Sequence, residues 1–364
     1  MEINRLRLNQ YRSYAALDLR PGPGINAIVG DNAEGKTNSV EAVFLCAFGR
    51  SHRTTRDAEL IMRGCAGGYV GAELTNNTGS HLIEIKLRDG ERKKIFIDRQ
   101  MASRSGELMG MLNVVMFAPE DLSIVKDGPA ERRRFMDMEL SQTHPAYYSL
   151  QRYNSALKQR NALLKEPDRI GPGMLETWDE QLAALGEEIV MDRCEFIDGL
   201  STIAYDLHKS ITGGRERLEI VYEPDIDPED PEGIYGAMLK ALDRSRAEDL
   251  RRGFTTAGPH RDDIGIALSG IDVRTFGSQG QKRTAALSLK LSELAFIREI
   301  KEEAPVLILD DVLSELDEGR QQLLMESMKD CQCFLTCTSL EGLKRAGLGN
   351  MKVFRCKGGE MRPE

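Results

Sequence analysis

A chain of 364 residues exceeds the usual span of one hydrophobic core, so two lobes are expected. Its 49 lysines and arginines against 58 aspartates and glutamates leave a net charge of -9, which excludes a global attraction for nucleic acid; a polyanion needs a local basic face, or a surface completed by a ligand or a second copy. Seven scattered cysteines argue for reduced thiols over a disulfide framework, and with no apolar run of about 18 residues and no basic segment leading into an apolar one, the expectation is a soluble, cytoplasmic protein without a membrane partner.

In chain order, Ile3, Leu6 and Leu8, then Leu17 and Leu19, alternate with polar residues on either side of Tyr11-Arg12-Ser13-Tyr14, which predicts two strands and a turn. The apolar run Ile25 to Val29 leads into Gly30-Asp31-Asn32-Ala33-Glu34-Gly35-Lys36-Thr37, a complete G-x-x-x-x-G-K-T loop, and a helix-like Ser39 to Ala47 follows. Gly30 and Gly35 let the backbone turn its N–H groups onto phosphate oxygens, with Lys36 aimed at the β and γ phosphates and Thr37 at Mg²⁺. The order strand, loop, helix points to a nucleoside triphosphate site. Alternating stretches near Tyr69 to Leu74, His81 to Leu87 and Lys94 to Ile97 predict an antiparallel region in which His81 is a plain strand residue. Val114 to Ala118 reads as a buried strand ending in Pro119-Glu120-Asp121, either a functional cluster or a helix start.

From Pro129 the period becomes helical. Leu150, Tyr153, Leu157 and Leu164 mark one stripe, Gly171-Pro172-Gly173 breaks it, and Trp178, Leu182, Leu185, Ile189, Phe196, Leu200, Ile203 and Leu207 mark a second. Two long helices folded back on each other fit, the second about 45 to 50 Å long and expected to project as an arm. Arg132, Arg133, Arg134, Arg152, Lys158, Arg160 and Lys165 make the first the best local basic surface, with Arg132, Arg133 and Arg134 as candidate DNA contacts and a solvated helix face as the alternative. Glu223 to Glu232, with six carboxylates and three prolines, reads as a solvated loop.

Ser278-Gln279-Gly280-Gln281 introduces a helical run through Ile300. Val306-Leu307-Ile308-Leu309 then delivers Asp310 and Asp311 at a strand end, followed by Ser314-Glu315-Leu316-Asp317. Such a strand is the second half of a phosphate-loop ATPase, with Asp310 sharing Mg²⁺ with Thr37 and Asp311 polarising the attacking water. Cys331, Cys333 and Cys337 read as small residues of a buried strand rather than a metal site. The fold class is α/β: an ATPase head at 1–122 and 255–364, combining a mixed sheet and an antiparallel region, with a helical arm lobe inserted at 123–254.

With these residues in view, the sequence resembles the ATP-binding-cassette ATPases and, among them, the RecF family of recombination mediators. The resemblance runs nearly the full length: Asn32 to Asn38, Ser51-His52-Arg53-Thr54, Phe117-Ala118-Pro119-Glu120-Asp121-Leu122, Arg132-Arg133-Arg134-Phe135, Gly258-Pro259-His260-Arg261-Asp262-Asp263, Ser278 to Gln281, and Asp310-Asp311 through Asp317. It implies an ATP-binding set of Arg12, Gly30, Asn32, Ala33, Glu34, Gly35, Lys36, Thr37, Asn38, Ser278, Gly280 and Gln281, with Ser278 of one subunit capping the γ-phosphate held by Lys36 of the other. Lys36, Asp311 and Ser278 are then the catalytic residues. It further implies an ATP-dependent homodimer that binds duplex DNA and single/double-strand junctions in recombinational repair and replication restart. Such a protein helps RecR and RecO place RecA on gaps coated by single-strand-binding protein.

Two departures from the wider class bear on turnover. Asp311 stands where transporter ATPases usually carry glutamate, one methylene longer, which predicts slow hydrolysis; and Thr336-Cys337-Thr338-Ser339 occupies the place of the usual switch histidine. His260 is read as a structural or interface residue, and Arg261 as a partner for phosphate or carboxylate. A transporter subunit lacks the helical arm, a GTPase needs an Asn-Lys-x-Asp motif, a structural chromosome protein carries a longer coiled coil, and a small-molecule kinase lacks the Ser278 motif. The remaining alternative is another cassette-type ATPase of chromosome maintenance with a different partner.

Overall fold

Alternation along the first strands is what builds the first layer. In the computed structural model, which describes residues 1–143, 147–313, 316–340 and 351–364, Glu2–Tyr11 runs antiparallel to Tyr14–Leu19 with Leu6 opposite Leu19 and Leu8 opposite Leu17, so one face of the pair is apolar throughout. Gly67–Asn76, Gly79–Arg88, Lys94–Ile97 and Gln100–Met101 extend this antiparallel sheet, and His81 in it pairs with Leu74 across the ladder.

A second, six-stranded sheet is mostly parallel. Its order is Glu360–Pro363, Met351–Lys357, Ile25–Val29, Cys333–Cys337, Val306–Asp310 and Val114–Phe117. The strands Ile25–Val29, Cys333–Cys337, Val306–Asp310 and Val114–Phe117 are buried on both faces, which accounts for their mostly apolar sequences. The helix Lys36–Phe48 touches strands of both sheets, and every residue from Ser39 to Phe48 is buried. Burial on every side is what packing between two sheets requires of a helix. Gly49, at φ +62°, ends it by donating its N–H to Leu45 O.

The chain divides into two compact units, Met1–Asp121 with Glu293–Glu364, and Leu122–Ser292. The return expected at residue 255 therefore comes later. Its cause is a three-stranded sheet in which Asp263–Leu268 pairs with Leu218–Glu223 and with Ile271–Asp272, holding that stretch within the second unit. The second unit's longer helices include Pro129–Thr143, Tyr147–Leu164, Met174–Thr212 and Gly233–Arg252, and its apolar core includes Tyr153, Leu182, Leu185, Ile189, Met238 and Leu242. Met174–Thr212 has 39 residues, so it is about 58 Å long. Gly173, at φ +76°, supplies the break in front of it. The acidic stretch after Glu223 is not purely solvated: Asp225 Oδ2 accepts the Gly258 N–H at 2.7 Å. Ser314 and Glu315 lie outside the described residues.

Candidate nucleotide site

Parallel register decides which residues meet. Ile28 pairs with Thr336, and Asp310 pairs with Thr336 from the other side, so the carboxyl ends of three adjacent strands bring the phosphate loop, Thr336 and the two aspartates to one edge. In open α/β sheets this edge is where ligands bind. A cleft of about 290 Å³ opens there, lined by Asn32, Ala33, Gly35, Lys36, Thr37, Asn38, Arg53, Asp310, Asp311 and Thr336.

The loop's shape follows from two glycines. A side chain at Gly30 would collide with Cys356 O, 2.3 Å from where its Cβ would sit; Gly35 adopts φ +113°, which L side chains rarely adopt. Tyr14 fixes the turn by donating its hydroxyl to Gly35 O at 3.0 Å, and Glu34 O accepts the Gly359 N–H at 3.3 Å. Lys36 reaches back over the loop, its Nζ donating to Gly30 O at 2.8 Å and Asp31 O at 2.9 Å. The helix that begins at Lys36 has no side-chain cap and no acidic residue in its first turn. Its leading N–H groups and dipole are thus set for an anion.

Across the cleft, the Asp310 carboxylate is nearly buried and is held by two hydroxyls: Thr37 Oγ1 donates to Oδ1 at 3.1 Å and Thr336 Oγ1 donates to the same oxygen at 2.6 Å. Asp311 is exposed, adopts φ +56°, and donates its N–H to Thr336 Oγ1 at 3.0 Å. A hydroxyl beside a carboxylate is the hard-oxygen donor pair that suits Mg²⁺, so Thr37 and Asp310 fit the ion. Thr336 organises both aspartates. Sequence reasoning saw it only as the residue where a switch histidine was missing.

Two arginines, Arg12 and Arg53, flank the carboxylate of Glu41. The Arg12 guanidinium makes a bidentate pair with the fully buried Glu41 at 2.9 and 2.7 Å and donates to Glu59 O. A buried carboxylate on the loop helix requires such a partner. Arg53 lines the cleft, its Nη1 donating to Asn38 Oδ1 at 3.0 Å, and Asn38 in turn donates to Ser13 Oγ at 2.9 Å. The only sequence signal for Arg53 was its place within Ser51-His52-Arg53-Thr54.

The basic stretch also changes character, its residues lying mostly on two helices, Pro129–Thr143 and Tyr147–Leu164. Arg132 is 4% exposed and binds Asp263 bidentately at 2.6 and 2.7 Å, so it joins the helix to the three-stranded sheet and is not available to DNA. Arg160 is likewise interior, bound to Asp179 and Asp249. Arg133 is half-buried and donates to Asp262 O at 2.7 Å, whereas Arg134, Arg152, Lys158 and Lys165 are exposed. His260 is structural: its Nδ1 meets the Tyr153 hydroxyl at 2.8 Å and its Nε2 meets Thr255 O at 3.1 Å. Arg261 lies over the Phe254 ring, 5.3 Å from its centre.

Ser278, Gly280 and Gln281 belong to the second unit, at the start of the helix Gln279–Lys301. Ser278 Oγ accepts the Gln281 N–H at 3.2 Å and Gln281 Oε1 accepts the Ser278 N–H at 2.8 Å. This is a capping box, and it leaves the serine hydroxyl proton to be donated outward.

Comparison with known proteins identifies the family. The family model described as the RecF/RecN/SMC N terminal domain matches residues 2–361. The chain is 42% identical over 362 residues to the DNA replication and repair protein RecF of Clostridium perfringens, covering 99% of both chains, and 43% identical over 365 residues to that of Acetivibrio thermocellus, again covering 99% of both. A solved structure of the recombination mediator protein RecF-ATP in the RecFOR pathway superposes with a TM-score of 0.92 at 33% identity, covering 100% of this chain and 99% of that one. An Smc head bound to the C-winged helix domain of ScpA superposes at 0.60 with 16% identity, over 100% of this chain and 97% of that one, a likeness of fold alone. A cassette-type ATPase head, this phosphate loop and full-length identity above 40% place the chain in the RecF family of the RecF/RecN/SMC N terminal domain proteins.

Proposed function

We propose that this RecF-family chain is an ATP-gated DNA-binding protein of recombinational repair and replication restart. The observation that carries the reading is the meeting of Thr37 and Asp310 beside Lys36 in one cleft. The first unit acts as the ATPase lobe and the helical unit as the arm. Lys36 faces the β and γ phosphates, the loop N–H groups hold their oxygens, and Arg53 offers a further cation that sequence reasoning did not assign. Mg²⁺ held by Thr37 and Asp310 supplies charge neutralisation for those oxygens. Asp311 orients the attacking water, with its backbone fixed by Thr336. Its short side chain makes turnover slow, so ATP acts as a switch more than a fuel.

In this reading ATP joins two copies, Ser278 of one meeting the nucleotide held by Lys36 of the other, and the pair binds duplex DNA and its junctions with single strands. Arg133, Arg134, Arg152, Lys158 and Lys165 are the basic residues left for phosphate contact once Arg132 and Arg160 are assigned to the interior. The family's work with RecR and RecO, loading RecA where single-strand-binding protein coats a gap, is extended to this chain, together with a cytoplasmic location. No helix among the described residues is long and apolar enough to cross a membrane.

Light scattering with and without ATP and Mg²⁺, followed by DNA anisotropy across a salt series, tests the reading. Molar mass doubles with nucleotide, and DNA affinity rises with it and falls steeply with salt as counterions are released. Equal DNA affinity with and without ATP overturns the gate.

A further inference from the structure

We propose that Glu216 is a positioning residue for Ser278 and ties the Ser278 motif to the base of the long helix Met174–Thr212. The proposal rests on the reading in which Ser278 meets the second copy's nucleotide. The capping box works only if the Gln281 carboxamide turns its oxygen toward the Ser278 N–H; flipped, it would present N–H to N–H. Glu216 decides between the two. Its Oε1 accepts from Gln281 Nε2 at 2.8 Å, and a carboxylate, having no proton to give, can pair only with the amide's NH₂ end. The oxygen is thereby left facing Ser278, where the 2.8 Å bond is found.

Glu216 stands just beyond the end of the long helix, and its other oxygen lies 3.6 Å from Nε2 of His208, a fully buried residue one turn before that end. His208 Nδ1 meets Ser288 Oγ at 2.9 Å, and Ser288 spends its own proton on Thr284 O at 2.9 Å, so His208 is the donor in that pair. Two links therefore join the last turns of the long helix to the helix that Ser278 begins. One is Glu216 to Gln281, the other His208 to Ser288.

The test compares Glu216→Ala and Glu216→Gln with the unaltered full-length chain, using ATP titration of the monomer and light scattering with saturating ATP and Mg²⁺. Ser278→Arg runs in parallel. Glu216→Ala is expected to bind ATP as a monomer like the unaltered chain while its dimer weakens about tenfold, the size of one hydrogen bond to a charged group. Glu216→Gln keeps an acceptor oxygen in the same place and is expected to restore most of the loss. Normal dimerisation of Glu216→Ala beside a Ser278→Arg chain that stays monomeric overturns the positioning role alone. Weakened monomer ATP affinity in Glu216→Ala, or equal impairment of the Gln and Ala variants, also overturns it. Normal dimerisation of Ser278→Arg overturns the cross-subunit reading beneath it.

Discussion

Thr37 and Asp310, 273 residues apart in sequence, meet in a 3.1 Å hydrogen bond from the threonine hydroxyl to the aspartate carboxylate. The meeting is a product of strand order. Only Cys333–Cys337 separates the strand before the phosphate loop from the strand that ends in Asp310, and Thr336 on that middle strand binds the same carboxylate oxygen. Two hydroxyls therefore converge on one carboxylate oxygen as a consequence of folding the sheet, a hard-oxygen cluster of the kind that suits a divalent cation.

Lys36→Ala should weaken ATP binding about 100-fold, the loss expected of roughly two charge-assisted contacts to phosphate. The amine is held in the loop by Gly30 O and Asp31 O, and neither bond joins separate elements, so the fold should survive. Equilibrium titration beside circular dichroism checks both halves. A folded Lys36→Ala chain with unchanged ATP affinity would place the triphosphate elsewhere.

Asp311→Asn should bind ATP normally and hydrolyse it about a hundredfold more slowly, the lower range for loss of a general base. The residue adopts φ +56°, a conformation asparagine tolerates as well as aspartate, and its N–H to Thr336 is retained, so the backbone should not move. Asp310→Asn should instead raise the Mg²⁺ concentration that ATP binding requires. Single-turnover hydrolysis and Mg²⁺ titration separate the two. Wild-type turnover by Asp311→Asn would remove it from the water's path.

Contiguous chemistry was the legible part of this protein. The loop from Gly30 to Thr37, the apolar strand that ends in Asp310-Asp311, and the second helical stripe are each encoded within a short window, and each lies in an element of the expected type. What could not be read depends on partners far along the chain. Arg132 looks like a surface cation until Asp263, 131 residues later, is brought against it, and nothing near Arg12 in sequence marks it as the partner of buried Glu41. The helix Gly233–Arg252 was missed because its apolar stripe is thin: Ile234, Ala237, Met238 and Leu242 are its buried hydrophobics, and buried Asp249 is there to pair with Arg160.

His260 gives a pH dependence of stability. Burial pushes its imidazolium below the ordinary value of 6.5, while Thr255 O opposes the shift and Arg261 adds to it. As pH falls below about 6.5 the unfolded chain takes up the proton first, so stability is lost downward from there and the loss ends once the folded imidazole is protonated as well. His208, lowered by burial too, contributes in the same direction. The melting temperature is expected to fall between about pH 7.5 and 5.5, with a flatter slope in His260→Gln. An unchanged slope in that variant would show that His260 titrates as freely in the fold as out of it.

Ser278→Arg addresses the step that one chain cannot perform. The serine hydroxyl and the N–H groups at the start of the helix Gln279–Lys301 form an anion-accepting end, organised by the capping box with Gln281. If Lys36 and the loop hold one side of a triphosphate, the serine is expected to close the other side from a second copy. Arginine at this position adds bulk to the closing surface while leaving the phosphate loop intact. ATP should therefore still bind the monomer with nearly unchanged affinity, while nucleotide-driven dimerisation, and the DNA binding that depends on it, should fall below detection in light scattering and anisotropy. Loss of monomer ATP binding would instead place Ser278 in its own subunit's pocket, and normal dimerisation would remove it from the interface.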